Sequence, residues 1–272
     1  MKKSTKIIAL VLVLLTAITC LFGCGKKADG SDWEYIQEKG TLVIGITEFD
    51  PANYYDEDGN LIGFDTEMAE AACEKLGVEA KFIVIDWDSK ELELESKNID
   101  CIWNMMGVND ERKEYADFTA AYMVNGQVAV IKAENASKFT DIESLSQPGL
   151  KVEFEEGSTG QAVAEAQFPD AELTPVAGQT DAMLGVKAGT ADFAVVDFLT
   201  ASSMIASSDY SDLMVVADVI LETEYDAVAF RKGSDAVAKM DEVLEELFES
   251  GKAAEIAKKY NLTEQVKLTK DV

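Results

Sequence analysis

Short apolar runs recur along this chain, and most are followed by a stretch whose apolar positions have helical spacing. Thr41-Leu-Val-Ile-Gly-Ile46 reads as a buried strand, and Asp65 to Leu76 reads as a helix that stops at Gly77. The pattern then predicts a strand over Ala80–Ile85, a helix over Ser89–Ser96 and a strand over Ile99–Trp103. Further strands are predicted at Gln127–Lys132, Leu150–Phe154, Phe193–Val196 and Ala227–Phe230. Helices are predicted at Ser158–Gln167, Thr180–Lys187 and Phe198–Ser207, and over Ser234–Tyr260 with a break at Gly251. Alternation of this kind predicts an α/β fold with largely parallel sheets. No internal repeat is visible, and no flexible linker beyond Lys26–Ser31. If the chain has two lobes, extended strands must join them.

The first apolar run is of another kind. Ile7 to Phe22 is almost unbroken and follows Lys2, Lys3 and Lys6. It is shorter than the ~20 residues a membrane-spanning helix needs. It closes on Leu21-Phe-Gly-Cys24, an arrangement that resembles a lipoprotein signal. That resemblance implies a signal peptide over residues 1–23, lipidation of Cys24 and an anchored linker over 24–30. A plain secretory signal is the alternative, and Cys20 is the weaker candidate for the lipid.

Loss of three lysines with the signal takes the net charge from −27 to −30. A domain this acidic is repelled by nucleic acid and by anionic lipid, so a membrane contact would rest on covalent lipid. What remains suffices for one large domain or two of ~120 residues. The absence of histidine excludes Ser-His-Asp and Cys-His catalysis and histidine-ligated metal, and no cofactor or metal is expected. Cys73 lies on the apolar side of a helix pattern and Cys101 lies in a strand. Two buried free thiols are expected, with a disulfide left open by an oxidising compartment.

Polar residues collect just beyond the predicted strands, where open α/β sheets bind ligands. After Trp103 the apolar run breaks at Asn104 into a polar turn that ends on Arg112, one of two arginines among 24 basic residues. A planar guanidinium there suits two-pronged capture of a carboxylate, whereas pairing with Asp110 or Glu111 is the plainer alternative. The aromatic loop Glu48–Tyr55 follows the first strand. Glu155-Glu-Gly-Ser-Thr-Gly160 joins a strand to a helix whose N-terminus can hold an anion, unless Ser158 or Thr159 serves only as a cap. Asp197 follows Phe193-Ala-Val-Val196 and could meet a cation or merely cap the next helix.

With these residues in view, the chain resembles the extracytoplasmic solute-binding proteins of polar amino-acid ABC importers. The likeness runs from about Trp33 to Tyr260 through modest motifs in a specific order. They include Gly40-Thr-Leu-Val-Ile-Gly45, Asp58-Gly-Asn-Leu-Ile-Gly-Phe-Asp65, Glu111-Arg-Lys-Glu-Tyr-Ala-Asp-Phe118, Glu156-Gly-Ser-Thr-Gly160 and Ala191-Asp-Phe-Ala-Val-Val-Asp197. The resemblance implies a two-lobed periplasmic-binding-protein-like fold of type II, with the ligand in a cleft between lobes joined by two crossing strands. The crossings are expected near Gln127–Lys132 and Glu222–Val228. Lobe one is then residues 31–126 plus 226–272, and lobe two residues 127–225. Carried over residue by residue, Arg112 and Thr159 would hold the α-carboxylate of an amino acid and Asp197 its α-ammonium group. Phe49 and Trp87 would wall the ligand, and Asn104, Met105, Gly107 and Ser158 would complete the lining. The implied partners are a free amino acid, an ABC permease and, through the lipid, the outer face of the cell membrane. The protein is expected to be a monomer that binds no nucleic acid.

The chain also departs from that pattern. Met105 and Gly107 stand where small or hydroxyl residues are usual, Asn109 where threonine is usual, and Glu155 and Glu156 where a lysine would be. These changes point away from ligands with acidic side chains. The alternative implied by the same fold is a dehydratase of prephenate-like acids, with Glu48, Asp50 or Asp197 as its general acid.

Overall fold

The computed structural model describes residues 31–217 and 219–270. The expected signal peptide, Cys24 and the linker 24–30 lie outside the described residues.

Helix Asp32–Lys39 leads into β1 (Thr41–Ile46), the short pair β2 (Tyr54–Tyr55) and β3 (Leu61–Ile62), helix Phe64–Leu76 and β4 (Glu79–Val84). Helix Lys90–Glu95, β5 (Cys101–Gly107), a single turn Arg112–Tyr115, β6 (Ala116–Phe118) and the long β7 (Ala121–Lys132) follow. The chain continues through β8 (Lys151–Glu155), helix Thr159–Gln167, β9 (Glu172–Val176), helix Gln179–Ala188, β10 (Phe193–Asp197) and helix Phe198–Ala206. It ends with β11 (Leu213–Val215), β12 (Glu222–Arg231), helices Ala236–Glu249 and Lys252–Lys259, and β13 (Val266–Thr269). Each predicted strand and helix is present, as is the break at Gly251, but β7 and β12 begin six and five residues earlier than expected.

Two corrections concern the sheet. Its order is β4-β1-β5-β12-β7-β10-β8-β9, and it is mixed, not largely parallel. β1 runs parallel to β4 and β5, and β8 runs parallel to β9 and β10. Between these two parallel trios stand β12 and β7, antiparallel to each other and to their outer neighbours. The second correction is that β5 does not stop at Trp103. It runs buried through Asn104 to Gly107, because Met105 takes a left-handed φ of 43° and β12 shifts register opposite it, between Ala227 and Ala229. A polar residue inside a strand therefore did not mark its end.

The two crossing strands pair with each other over Met123–Gln127 and Glu222–Asp226, slightly earlier in β7 than expected. From there β7 continues along β10, and β12 continues along β5. Each trio is covered on both faces by its own apolar core. On one side helices Phe64–Leu76, Ala236–Glu249 and Lys252–Lys259 bury Met68, Ala72, Met240, Leu244 and Ile256 against Leu42, Ile44 and Trp103. On the other, Val163 and Phe168 pack with Phe154 and Phe193, and Met183 and Val186 with Val130 and Val196. Cys73 and Cys101 are both buried free thiols, so the disulfide alternative falls. Burial pushes the Cys73 thiol up to about 12 and the Cys101 thiol well above its usual range.

Candidate functional site

Phe49, Trp87, Asn104, Met105, Gly107, Arg112, Ser158, Thr159 and Asp197 all line one cavity, together with Glu155, Gln179 and Glu224. Every binding residue expected from sequence is thus brought to one place, where the carboxyl ends of β1, β5, β8 and β10 converge.

Arg112 opens a one-turn helix just beyond β5 and is only 5 % exposed. Its backbone N–H donates to Asn109 Oδ1 at 2.8 Å and its Nη1 to the Gly107 carbonyl at 2.7 Å, which fixes the guanidinium across the end of the strand. Trp87 lies 5.8 Å from its Cζ. No carboxylate lies within ion-pairing distance among the described residues, so the plainer alternative, a pair with Asp110 or Glu111, fails. The other arginine behaves differently: Arg231 pairs with Asp32 at 3.1 Å and Asp100 at 3.8 Å and donates to the Leu94 and Ile99 carbonyls.

Asp197 ends β10 and makes no cap hydrogen bond to the helix it precedes. Its carboxylate instead accepts from the side-chain amides of Gln127 and Gln179, and its backbone N–H donates to Gln179 Oε1 at 2.9 Å. Gln127 stands where β7 passes from β12 to β10, and the same amide nitrogen donates to Glu224 Oε2 at 2.6 Å. Two buried carboxylates therefore share one amide. Burial, then the charge of Glu224, pushes the Asp197 carboxyl well above the usual carboxylate range.

The remaining expected residues divide by what their side chains already hold. Asn104 accepts from Thr47 N–H and Asn53 Nδ2, both at 2.9 Å, and donates to Thr47 Oγ1 at 2.7 Å, so it ties the end of β1 to β5. The Ser158 hydroxyl donates to the Glu155 carbonyl at 2.7 Å and accepts from Gln161 N–H at 3.1 Å, which is the capping role. Met105 donates its N–H to buried Asp65 Oδ2 at 2.6 Å. Gly107 leaves room for Glu224, because a Cβ there would overlap that carboxylate. The hydroxyl usual at this position in the resembling family is thus exchanged for space beside an acid.

Sequence reasoning passed over Lys90, Gln179 and Glu224, and noted Glu155 only as a departure from the family pattern. Glu155, at the end of β8, is buried, and burial pushes its carboxyl up to about 7 against the opposing pull of Lys90 and Arg112. Lys90 donates to the Trp87 carbonyl at 3.1 Å and the Gly157 carbonyl at 2.9 Å, joining the two sides of the cleft. Burial, then the nearby Arg112 charge, pulls it down to about 8. Gln179 and Glu224 complete the set. Glu155 could have been found from its place in the loop, but Glu224 sits in an alternating strand pattern, and only tertiary pairing places it opposite Asp197. Of the acids named for the enzyme alternative, Asp197 is in the cavity, Glu48 lines its mouth, and Asp50 lines a separate cavity with Tyr54 and Lys259.

Residues 42–263 match the bacterial extracellular solute-binding proteins, family 3. The chain belongs to this family. This solute-binding protein is 27 % identical over 261 residues to the L-cystine-binding protein TcyJ of Escherichia coli (strain K12), covering 92 % of this chain and 97 % of that one. Among solved structures it resembles the P235GK mutant of ArgBP from T. maritima, at 31 % identity and a TM-score of 0.78, over 85 % of this chain and 99 % of that one. It also resembles the ancestral amino acid-binding protein AncCDT-1, a precursor of cyclohexadienyl dehydratase, at 28 % identity and a TM-score of 0.79, with the same coverage. These likenesses establish the type II periplasmic-binding-protein-like fold for this chain. Among the described residues no helix is long and apolar enough to cross a membrane.

Proposed function

We propose that this solute-binding protein captures a free α-amino acid through its charged backbone groups and delivers it to an ABC importer. The observation that carries the reading is the buried, unpaired Arg112 guanidinium facing the same cavity as the Asp197–Glu224 carboxylate pair. A buried charge without a partner is costly, and a zwitterion entering between these groups would pair both poles at once. Thr159, whose hydroxyl is free of any cap, would add a hydrogen bond to the ligand carboxylate, and Phe49 and Trp87 would exclude water around it. The two parallel trios, taken as lobes of residues 31–126 plus 226–272 and 127–225, would close on the ligand about the paired stretch of β7 and β12. A lipid on Cys24 would keep the protein at the outer face of the membrane.

A titration series separates the two poles. Each charge-assisted hydrogen bond contributes about 1.5–3 kcal/mol. An amino acid that binds should therefore lose at least tenfold in affinity as its decarboxylated amine and again as its deaminated acid. Equal binding of either analogue would contradict the reading.

The enzyme reading has one observation in its favour, the raised proton affinity of Asp197 inside the cavity, which suits a general acid. Asp197 is nevertheless held by two amides and faces a second carboxylate, an arrangement suited to receiving a cation. Product formed on incubation with a prephenate-like acid would overturn the binding reading.

A further inference from the structure

The inner cavity carries more acid than an ordinary zwitterion can neutralise. Arg112 answers the ligand carboxylate, and Asp197 with Glu224 answers the ammonium group. Glu155 is left over. It is 8 % exposed, lines the cavity, and forms no ion pair among the described residues. Lys90 does not serve it at bonding distance, because its ammonium is held by the Trp87 and Gly157 carbonyls.

Glu155 also belongs to a second, larger space. A cleft of about 440 Å³ opens beside the inner cavity, and the two share Phe49, Trp87, Glu155 and Gln179 as common walls. That mouth is lined by six carboxylates, Glu48, Asp86, Asp88, Glu155, Glu156 and Asp181, and by no lysine or arginine. A ligand whose α-carbon sits between Arg112 and Asp197 would send its side chain past the two aromatic rings into this acidic mouth. Aromatic faces accept both an alkyl stem and a cationic tip.

We propose that the ligand is an amino acid with a cationic side chain, and that Glu155 receives this second positive charge. The inference rests on the amino-acid reading above and sharpens it to a substrate class. It also accounts for the acids standing where the resembling family carries a lysine. Glu155 faces Lys90 and Arg112 as cations and Asp181 and Asp197 as acids, with the Gln179 amide beside it. A bound cation favours its ionised form, so affinity for a cationic ligand should rise with pH through about 7, with a proton released on binding.

Isothermal titration of the whole chain with lysine, arginine, glutamine and glutamate, at pH 6 and pH 8, tests this. Lysine or arginine should bind roughly tenfold or more tightly than glutamine, and the margin should widen at pH 8. Glu155→Gln should reduce the lysine or arginine affinity at least tenfold more than the glutamine affinity. Tighter binding of glutamine or glutamate by the wild-type protein overturns the proposal and leaves the amino-acid reading standing. Failure of all four to bind overturns the proposal, and only a failure that extends to the remaining natural amino acids overturns both. Should Glu155→Gln lose its circular-dichroism signal, the wild-type ranking and its pH trend decide.

Discussion

Arg231 and Arg112 are both buried, yet one is surrounded by acceptors and the other holds a single backbone carbonyl. Sequence could single out Arg112 by its place after a strand, but the missing counter-ion appears only in the folded chain. Asp226 poses the inverse problem. It is fully buried on β12 with neither carboxylate oxygen hydrogen-bonded, and burial, then the charges of Glu224 and Asp197, pushes its carboxyl well above the usual range. Nothing along the chain distinguishes it from a surface acid at a strand position. Replacing it with a neutral isostere removes a desolvated carboxyl from the stretch where β12 pairs with β7. Asp226→Asn should raise the melting temperature at pH 8 by roughly 3–8 °C and by less at pH 5, measured by calorimetry. A lower melting temperature at pH 8 would mean that the charge there is a stabilising one.

The period of the apolar pattern located the main strands and helices because the inner strands of each trio, β1, β5, β8 and β10, are mostly buried and so read as near-continuous apolar runs. The pattern failed where tertiary pairing overrides composition. β5 keeps going through Asn104 because Thr47 and Asn53 satisfy that amide, and β9, with alternating exposed residues at a sheet edge, left too weak a signal to be predicted. The loop between β1 and the first long helix shows a tighter constraint. Gly63 has φ 135°, and a Cβ there would strike the Ala52 carbonyl oxygen, while Pro51 and Ala52 accept the first N–H groups of the helix. Gly63→Ala should destabilise the fold by about 2–4 kcal/mol in urea unfolding. It should also shift Phe49 at the cavity wall, since Phe49 pairs with Asn53 in the same loop. An unchanged unfolding midpoint would show that the loop can relax away.

At the scale of the whole molecule, the two-lobe arrangement was implied by the resemblance, and the absence of a linker said only that strands would join any lobes. The gathering of buried carboxyls around β7, β10 and β12 was not legible at all. Burial raises Asp65 and Glu155 to about 7, and it pushes Asp197 and Asp226 well above the usual carboxylate range. Unfolded carboxyls titrate near 4. The folded chain therefore binds more protons than the unfolded one between about pH 4 and 7, so stability should fall as pH rises through that window. A melting temperature that rises from pH 5 to pH 8 in the ligand-free protein would contradict this. The central claim is that Arg112 holds the carboxylate of a bound amino acid, and one comparison tests it most directly. Isothermal titration of wild-type and Arg112→Ala protein with an amino acid that binds should show at least a hundredfold loss in the variant, with its melting temperature within a few degrees of wild type. Near-wild-type affinity in a folded Arg112→Ala protein would contradict the account.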